Sequence, residues 1–162
     1  MVLAPVTTTL RPLTTSDAAA VRSLALTVFA DAPYSDLLVG ALDSALAHST
    51  NEYQAIIASD GDGIAGVVVF GETAGANGAG CIHLIAVDGN ARRHGIATAL
   101  VEAACARLAD QGARFAMLEL PADARLAPAR ALAQRTGFHE EGRVDDYVRD
   151  GIALVFLRRD RL

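Results

Sequence analysis

CIHLIAVDGNARRHGIATALVEAACARLADQG, residues 81–112, carries the pattern on which the fold turns. Cys81 to Val87 is almost wholly apolar, which predicts a central strand covered on both faces. The turn that follows is broken by glycine and rich in arginine, and Arg92-Arg93-His94-Gly95-Ile96-Ala97 opens a long helix. Ile96, Leu100, Val101, Ala104 and Leu108 then share one face at helical spacing. Gln111-Gly112 supplies the left-handed stop that glycine adopts cheaply.

The first amides of such a helix have no partner within it and carry a partial positive charge. They favour an anion at that end. A side chain at Gly95 would hold a phosphate away from those amides, and Arg92 and Arg93 add forked donors suited to phosphate oxygens. The turn therefore predicts a pyrophosphate site. By itself it is equally compatible with an ordinary helix start flanked by solvated arginines.

Outward from this block the pattern continues as alternating elements. Val6 to Leu10 is β-branched and predicts a first strand ended by Arg11-Pro12. Thr15-Ser16-Asp17 is a helix start before AAAVRSLALTVFA, which Pro33 follows. A second helix is predicted over 35–49. Two strands, 52–59 and 64–72, flank Asp60-Gly61-Asp62-Gly63, a strong hairpin turn. Beyond the central helix come a strand from Phe115 to Leu120 and a helix over 128–136 with Pro128 in its first turn. Strands at 142–148 and 152–159 close the chain around Arg149-Asp150-Gly151. This order predicts an α/β fold with a mixed sheet in one domain spanning 1–162.

Two glycine patterns invite misreading. Gly61, Gly63 and Gly66 satisfy G-x-G-x-x-G, but a dinucleotide site needs a helix directly after it, and here VVVF follows. AGANGAG, residues 74–80, lacks the Lys-Ser/Thr of a phosphate loop and reads as a hairpin loop. The bulk numbers add limits. Apolar residues make up 52% and charged residues 20% of 162, a globular composition with one sizeable core. A net charge of −5 without a basic run argues against nucleic acid as partner. No segment approaches the ~18 apolar residues of a membrane span, and the first residues lack a signal-peptide pattern, so no membrane partner is expected. Cys81 and Cys105 lack CxxC spacing, and no histidine pair has zinc spacing. Buried thiols in a reducing, cytoplasmic setting and no metal are expected.

The strand, Arg92-x-x-Gly95-x-Ala97 and long helix together resemble the acetyl-CoA-binding motif of the GNAT family of N-acetyltransferases. Leu84 to Val87 upstream, the strand 115–120, Thr136-Gly137-Phe138 and the tail GRVDDYVRDGIALVFLRR, 142–159, resemble the family's remaining core. The likeness is strongest from 80 to 159. It implies a central mixed, splayed sheet flanked by helices, with acetyl-CoA held between the strands 81–87 and 115–120. Ile85, Ala86, Val87, Arg92, Arg93, His94, Gly95, Ile96, Ala97 and Thr98 would be the coenzyme-binding residues. A backbone N–H near Val87 would polarise the thioester carbonyl.

Acyl transfer to an amine also needs the amine neutral, and an alkyl amine with a pKa near ~10.4 is mostly protonated at pH 7. His83 is the first candidate base. It is expected on the same strand face as Cys81 and Ile85, and the alternative is a core histidine bonded to a backbone carbonyl. Glu119 is the second, with a structural ion pair as its alternative. The family's helix tyrosine is missing: its matching position is Ala133, and the asparagine's is Leu126. Tyr147, or water, would replace that acid, or the thiolate would leave unaided. Asp31, Tyr34 and Asp36, with Asp145, Asp146 and Tyr147, would flank a cationic amine acceptor, or stand as solvated loop residues.

The resemblance thus implies an acyl-CoA-dependent N-acetyltransferase that acts on a primary amine by direct attack. The acceptor would be a small molecule, a protein N-terminus or a lysine. A non-catalytic acyl-CoA-binding module and a scaffold with an empty groove are the alternatives. Exposed sheet edges make a homodimer an open expectation.

Overall fold

The structure is a computed structural model that describes residues 7–47, 50–61, 63–92 and 94–162. Its strands are β1 (Thr9–Pro12), β2 (Gln54–Ser59), β3 (Ile64–Glu72), β4 (Ala79–Val87), β5 (Phe115–Pro121), β6 (His139–Arg149) and β7 (Ile152–Arg159). Its α-helices are α1 (Ala18–Val28), α2 (Ser35–Ala47), α3 (Ile96–Asp110) and α4 (Ala127–Arg135). The strands form one seven-stranded sheet in the order β1-β2-β3-β4-β5-β7-β6. Only β4 and β5 run parallel; the other neighbours are antiparallel. Among the described residues no helix is long and apolar enough to cross a membrane.

Each face of the sheet has its own core. On one, Leu100, Val101, Ala104 and Leu108 of α3 pack over Val68, Phe70, Ile82 and Leu118, with Leu132 and Ala133 of α4. On the other, Val21 and Leu24 of α1 and Leu42 of α2 cover Ile57, Val67, Val69, Leu84 and Ala86. A fully buried leucine such as Leu100 contributes about 1.5–3 kcal/mol relative to an exposed one. The rejected G-x-G-x-x-G ends inside β3. A Cβ at Gly66 would lie 3.0 Å from the Leu100 Cδ1 and 3.2 Å from the Ile96 Cγ2, so this glycine lets α3 sit close on the sheet.

Some boundaries move from the sequence reading. Val6, Asp62 and Arg93, named above, and residues 48 and 49 of the expected second helix lie outside the described residues. Arg11 and Pro12 belong to β1, where the edge position tolerates proline's missing N–H. The last hairpin starts at His139, earlier than expected. As an edge strand with most residues exposed, HEEGRVDDYVR shows no apolar alternation to mark it.

Asp17 fastens the sheet edge to the first helix. Its carboxylate accepts two bonds from Arg11, each 2.8 Å, and others from the Thr14 N–H at 2.9 Å and the Thr14 hydroxyl at 2.8 Å, while the residue is 7% exposed. The Arg11 guanidinium, with help from Thr14 and against the cost of burial, holds this carboxyl well below the usual carboxylate range. A depressed folded-state pKa stabilises the fold above the unfolded value of about 3.9 and ceases to do so as pH falls through the folded value. Urea unfolding across a pH series should therefore show wild type losing stability below about pH 4. Asp17→Asn should be less stable at pH 7 and lose less on acidification; parallel curves for the two proteins would contradict this.

Candidate functional site

The parallel pairing of β4 with β5 runs only from Ala79↔Phe115 to Ile82↔Leu118, although both strands continue. The cause lies in β4. Its register with β3 jumps from Phe70↔Ile82 to Val69↔Leu84, so His83 is an extra, bulged residue. A bulge bends its strand and sharpens the twist, and here the pairing with β5 ends where the bulge begins. Beyond it β4 and β5 part around a cleft of about 560 Å³.

The bulge corrects the sequence reading of His83. Ile82 belongs to the α3 core and Leu84, two residues on, to the α1–α2 core, so alternation is broken at His83 and resumes with Ile85 on the α3 side. His83 stacks on Tyr53, with ring centroids 4.8 Å apart, on the α1–α2 side; it does not share a face with Ile85. Its Nε2 lies 3.1 Å from the Glu52 carbonyl oxygen. Burial lowers its pKa, opposed by that carbonyl and by the charge of Glu119. Glu119 follows Leu118 of the α3 core along β5 and so turns to the side of His83, where it is exposed in the cleft. The two candidate bases therefore face one space from opposite strands.

Backbone groups in the gap can be assigned from the ladder. The Asp88 N–H donates to the Ala65 carbonyl at 2.9 Å. Strand alternation then turns Ala86 toward β3 as well, and directs the N–H groups of Ile85 and Val87 into the gap that β5 has left. At the cleft's far end Gly95 precedes α3 with φ 75°, a left-handed value suited to glycine, and a Cβ there would meet nothing within 4 Å. The first bond inside α3 runs from the Ala99 N–H to the Gly95 carbonyl at 2.9 Å. Among the described residues, the amides of Ile96, Ala97 and Thr98 have no acceptor. Open space, unpaired amides and Arg92 at the rim fit a diphosphate.

Of the expected coenzyme residues, Ile85, Val87, Arg92, Gly95, Ile96, Ala97 and Thr98 line the cleft. Ala86 does not: it is 1% exposed within the α1–α2 core. His94 is turned aside, its Nδ1 3.2 Å from the Ala91 carbonyl. Ala133 is 2% exposed inside the α3 core, and α4 presents Pro128, Ala129, Leu132 and Arg135 to the cleft. Tyr147 is 63% exposed on the edge strand and outside the cleft. Tyr34, between α1 and α2, does line it, and burial raises its pKa.

The last hairpin also differs from expectation. Asp145 pairs with Arg143 at 2.8 Å, and the Asp146 carboxylate accepts the Gly151 N–H at 2.7 Å. From the hairpin, Arg149 and Ile152 line the neighbouring cavity of about 520 Å³, opposite Asp31, Asp123 and Arg125. That cavity is of mixed charge. Its two acids are matched by two guanidinium groups, so the expected excess of carboxylates is not there. Cys81 and Cys105 are free thiols; burial pushes Cys81 up to about 12 and Cys105 up to about 11. Among the described residues no group of His, Cys, Asp or Glu is placed to hold a metal ion.

A splayed parallel strand pair closed by a glycine-capped helix is the arrangement of an acyltransferase class of α/β folds. The family model described as "Acetyltransferase (GNAT) family" matches residues 20–138, and the chain belongs to that family. A GNAT-family structure from Desulfovibrio desulfuricans superposes with a TM-score of 0.86 at 24% identity, covering 96% of this chain and 100% of that one. The ribosomal-protein-S18-alanine N-acetyltransferase of Escherichia coli gives a TM-score of 0.76 at 19% identity, covering 96% and 94%. Ard1 of Thermoplasma volcanium gives 0.76 at 20%, covering 96% and 98%. At such identities the structures speak for the fold. No curated protein sequence gives a significant match.

Proposed function

We propose that this chain transfers an acetyl group from acetyl-CoA to a primary amine by direct attack within the cleft. The observation that carries this reading is the gap between β4 and β5, which opens to both faces of the sheet. Ile96 and Leu132 line it from the α3–α4 side, and Phe29, Tyr34 and Leu38 from the α1–α2 side. A coenzyme and an acceptor can therefore enter from opposite faces and meet beside His83 and Glu119. Enforced proximity of this kind supplies much of the rate of a two-substrate reaction.

Bound acetyl-CoA would supply a thioester whose carbonyl carbon gains the amine nitrogen and whose sulfur leaves with the electron pair of the broken bond. The chain's part is to hold and to polarise. The amides of Ile96, Ala97 and Thr98 with Arg92 would hold the diphosphate, and the Ile85 and Val87 N–H groups would be donors for the carbonyl. His83 takes the proton that the amine nitrogen sheds, and Glu119 draws the cationic amine in and stabilises the imidazolium. Tyr34, which lines the cleft, takes the role of acid expected of Tyr147. Ala133 supplies no acid, and a thiolate whose thiol has a pKa of ~8.5 can leave without one.

The test is free-thiol release from acetyl-CoA with a panel of amines and free N-terminal peptides, alongside calorimetry with coenzyme A. Amine-dependent thiol release is expected, and Glu119→Gln should lower kcat while coenzyme affinity stays within a few-fold. Tight coenzyme binding without amine-dependent release would make the chain a binding module. Absence of binding would refute the reading altogether.

A further inference from the structure

We infer that Gly71, Glu52 and Tyr53 form a positioning device that fixes His83 in its Nε2–H tautomer and leaves Nδ1 as the atom that accepts the proton. This rests on the acyl-transfer reading given above, and it goes past it to the residues that make the histidine usable.

A backbone carbonyl can only accept, so the 3.1 Å contact between the His83 Nε2 and the Glu52 oxygen places the proton on Nε2. Nδ1 then carries the lone pair. Among the described residues nothing bonds to it, and no buried side-chain nitrogen or oxygen lacks a partner. Nδ1 is therefore in contact with solvent, and the ring lines the cleft. The segment that carries this carbonyl, and the ring it bonds, are fixed by three features. The Glu72 N–H donates to the neighbouring Asn51 carbonyl at 2.7 Å. Tyr53 lies against the imidazole with an interplanar angle of 25°. A Cβ at Gly71 would overlap the Glu52 carbonyl, so only glycine at that point of β3 lets segment 51–53 come this close.

The proton balance is simple. Nδ1 takes a proton from the amine nitrogen, the ring becomes an imidazolium with Nε2–H still donated to Glu52, and the Glu119 charge across the cleft favours that state. The proton then passes to solvent in the cleft. Gly71, Glu52 and Tyr53 touch no substrate. They act through His83, by deciding which nitrogen is free.

Imidazole 15N NMR of the full chain, with His83→Gln to assign the signals, reads the tautomer directly. The expected spectrum at neutral pH has Nε2 protonated and Nδ1 bare. His83→Gln can keep the bond to Glu52 but has no base, and should lower kcat on the order of 10²-fold with coenzyme affinity retained. Gly71→Ala should mix the tautomers and lower kcat in the same direction, without a matching rise in KM for acetyl-CoA. Where that variant fails to fold, Tyr53→Leu removes the stacked wall and should do the same. A proton found on Nδ1 overturns the device even if acyl transfer proceeds, as do mixed tautomers with undiminished kcat. A wild-type chain with the expected tautomer and no transfer to any amine overturns the reaction, and the role of Nδ1 with it.

Discussion

Gly95→Glu should abolish coenzyme A binding while the chain stays folded. Any residue but glycine at φ 75° is strained, roughly 1–2 kcal/mol for an L-residue in the left-handed region. Sterically the new side chain has room, since a Cβ there meets nothing within 4 Å. Its carboxylate would project beside the amides of Ile96, Ala97 and Thr98 and take the place of a phosphate. Anions at a helix start stabilise the helix, which offsets part of the backbone strain. For the coenzyme the effect is the reverse: its donors are occupied and a like charge faces its diphosphate. Such juxtaposition costs several kcal/mol, and each 1.4 kcal/mol is tenfold, so calorimetry should show at least about a 10²-fold loss of affinity. Gly95→Ala introduces the strain and a methyl group without the charge and should lose less affinity than the glutamate variant. Equal affinity in the glutamate variant and wild type would mean that the diphosphate does not sit on α3.

Much of this site was legible before any coordinates because its parts are local. The run Cys81–Val87, the glycine turn and the apolar face from Ile96 to Leu108 are short-range patterns, and they became β4, the α3 cap and α3. The limits of β3 and β7 follow from the DGDG and RDG turns beside them in the same way. What escaped the sequence depends on distant partners. The bulge at His83 is a mismatch between two strands, visible only in how Val69 and Phe70 pair, and it changes which face the histidine occupies. Family spacing pointed to Ala133, but the α4 residues in the cleft are set by how that helix rotates against α3 and the sheet. Tyr34 and Arg149 lie in or next to turns, where no periodicity says which side chain will face inward. A signal for Gly71 was present, a glycine near the end of an apolar strand, which commonly marks a close backbone approach. What approaches it, the 51–53 segment, is set by the β2–β3 pairing.

Val87→Pro isolates one backbone hydrogen. The Val87 N–H is spent on no ladder bond, because Asp88 and Ala86 make the bonds to β3 on either side of it. Proline is tolerated in a sheet where the missing donor would not have been paired, and Ala86, in β4, has the extended backbone that a following proline requires. The variant should therefore fold. In the cleft the change is large. If Val87 donates to the thioester carbonyl as charge builds on its oxygen, deleting that donor should cost about 10²–10³ in kcat, the usual loss for one oxyanion donor. The ring also narrows the gap between β4 and β5, so some coenzyme affinity should go with it, and kcat at saturating acetyl-CoA separates the two effects. Val87→Ala trims the side chain but keeps the N–H, and should lose far less turnover than the proline variant. A proline variant within a few-fold of wild type would move the polarising donor elsewhere in the gap, with Ile85, the other amide that faces it, as the next position to delete.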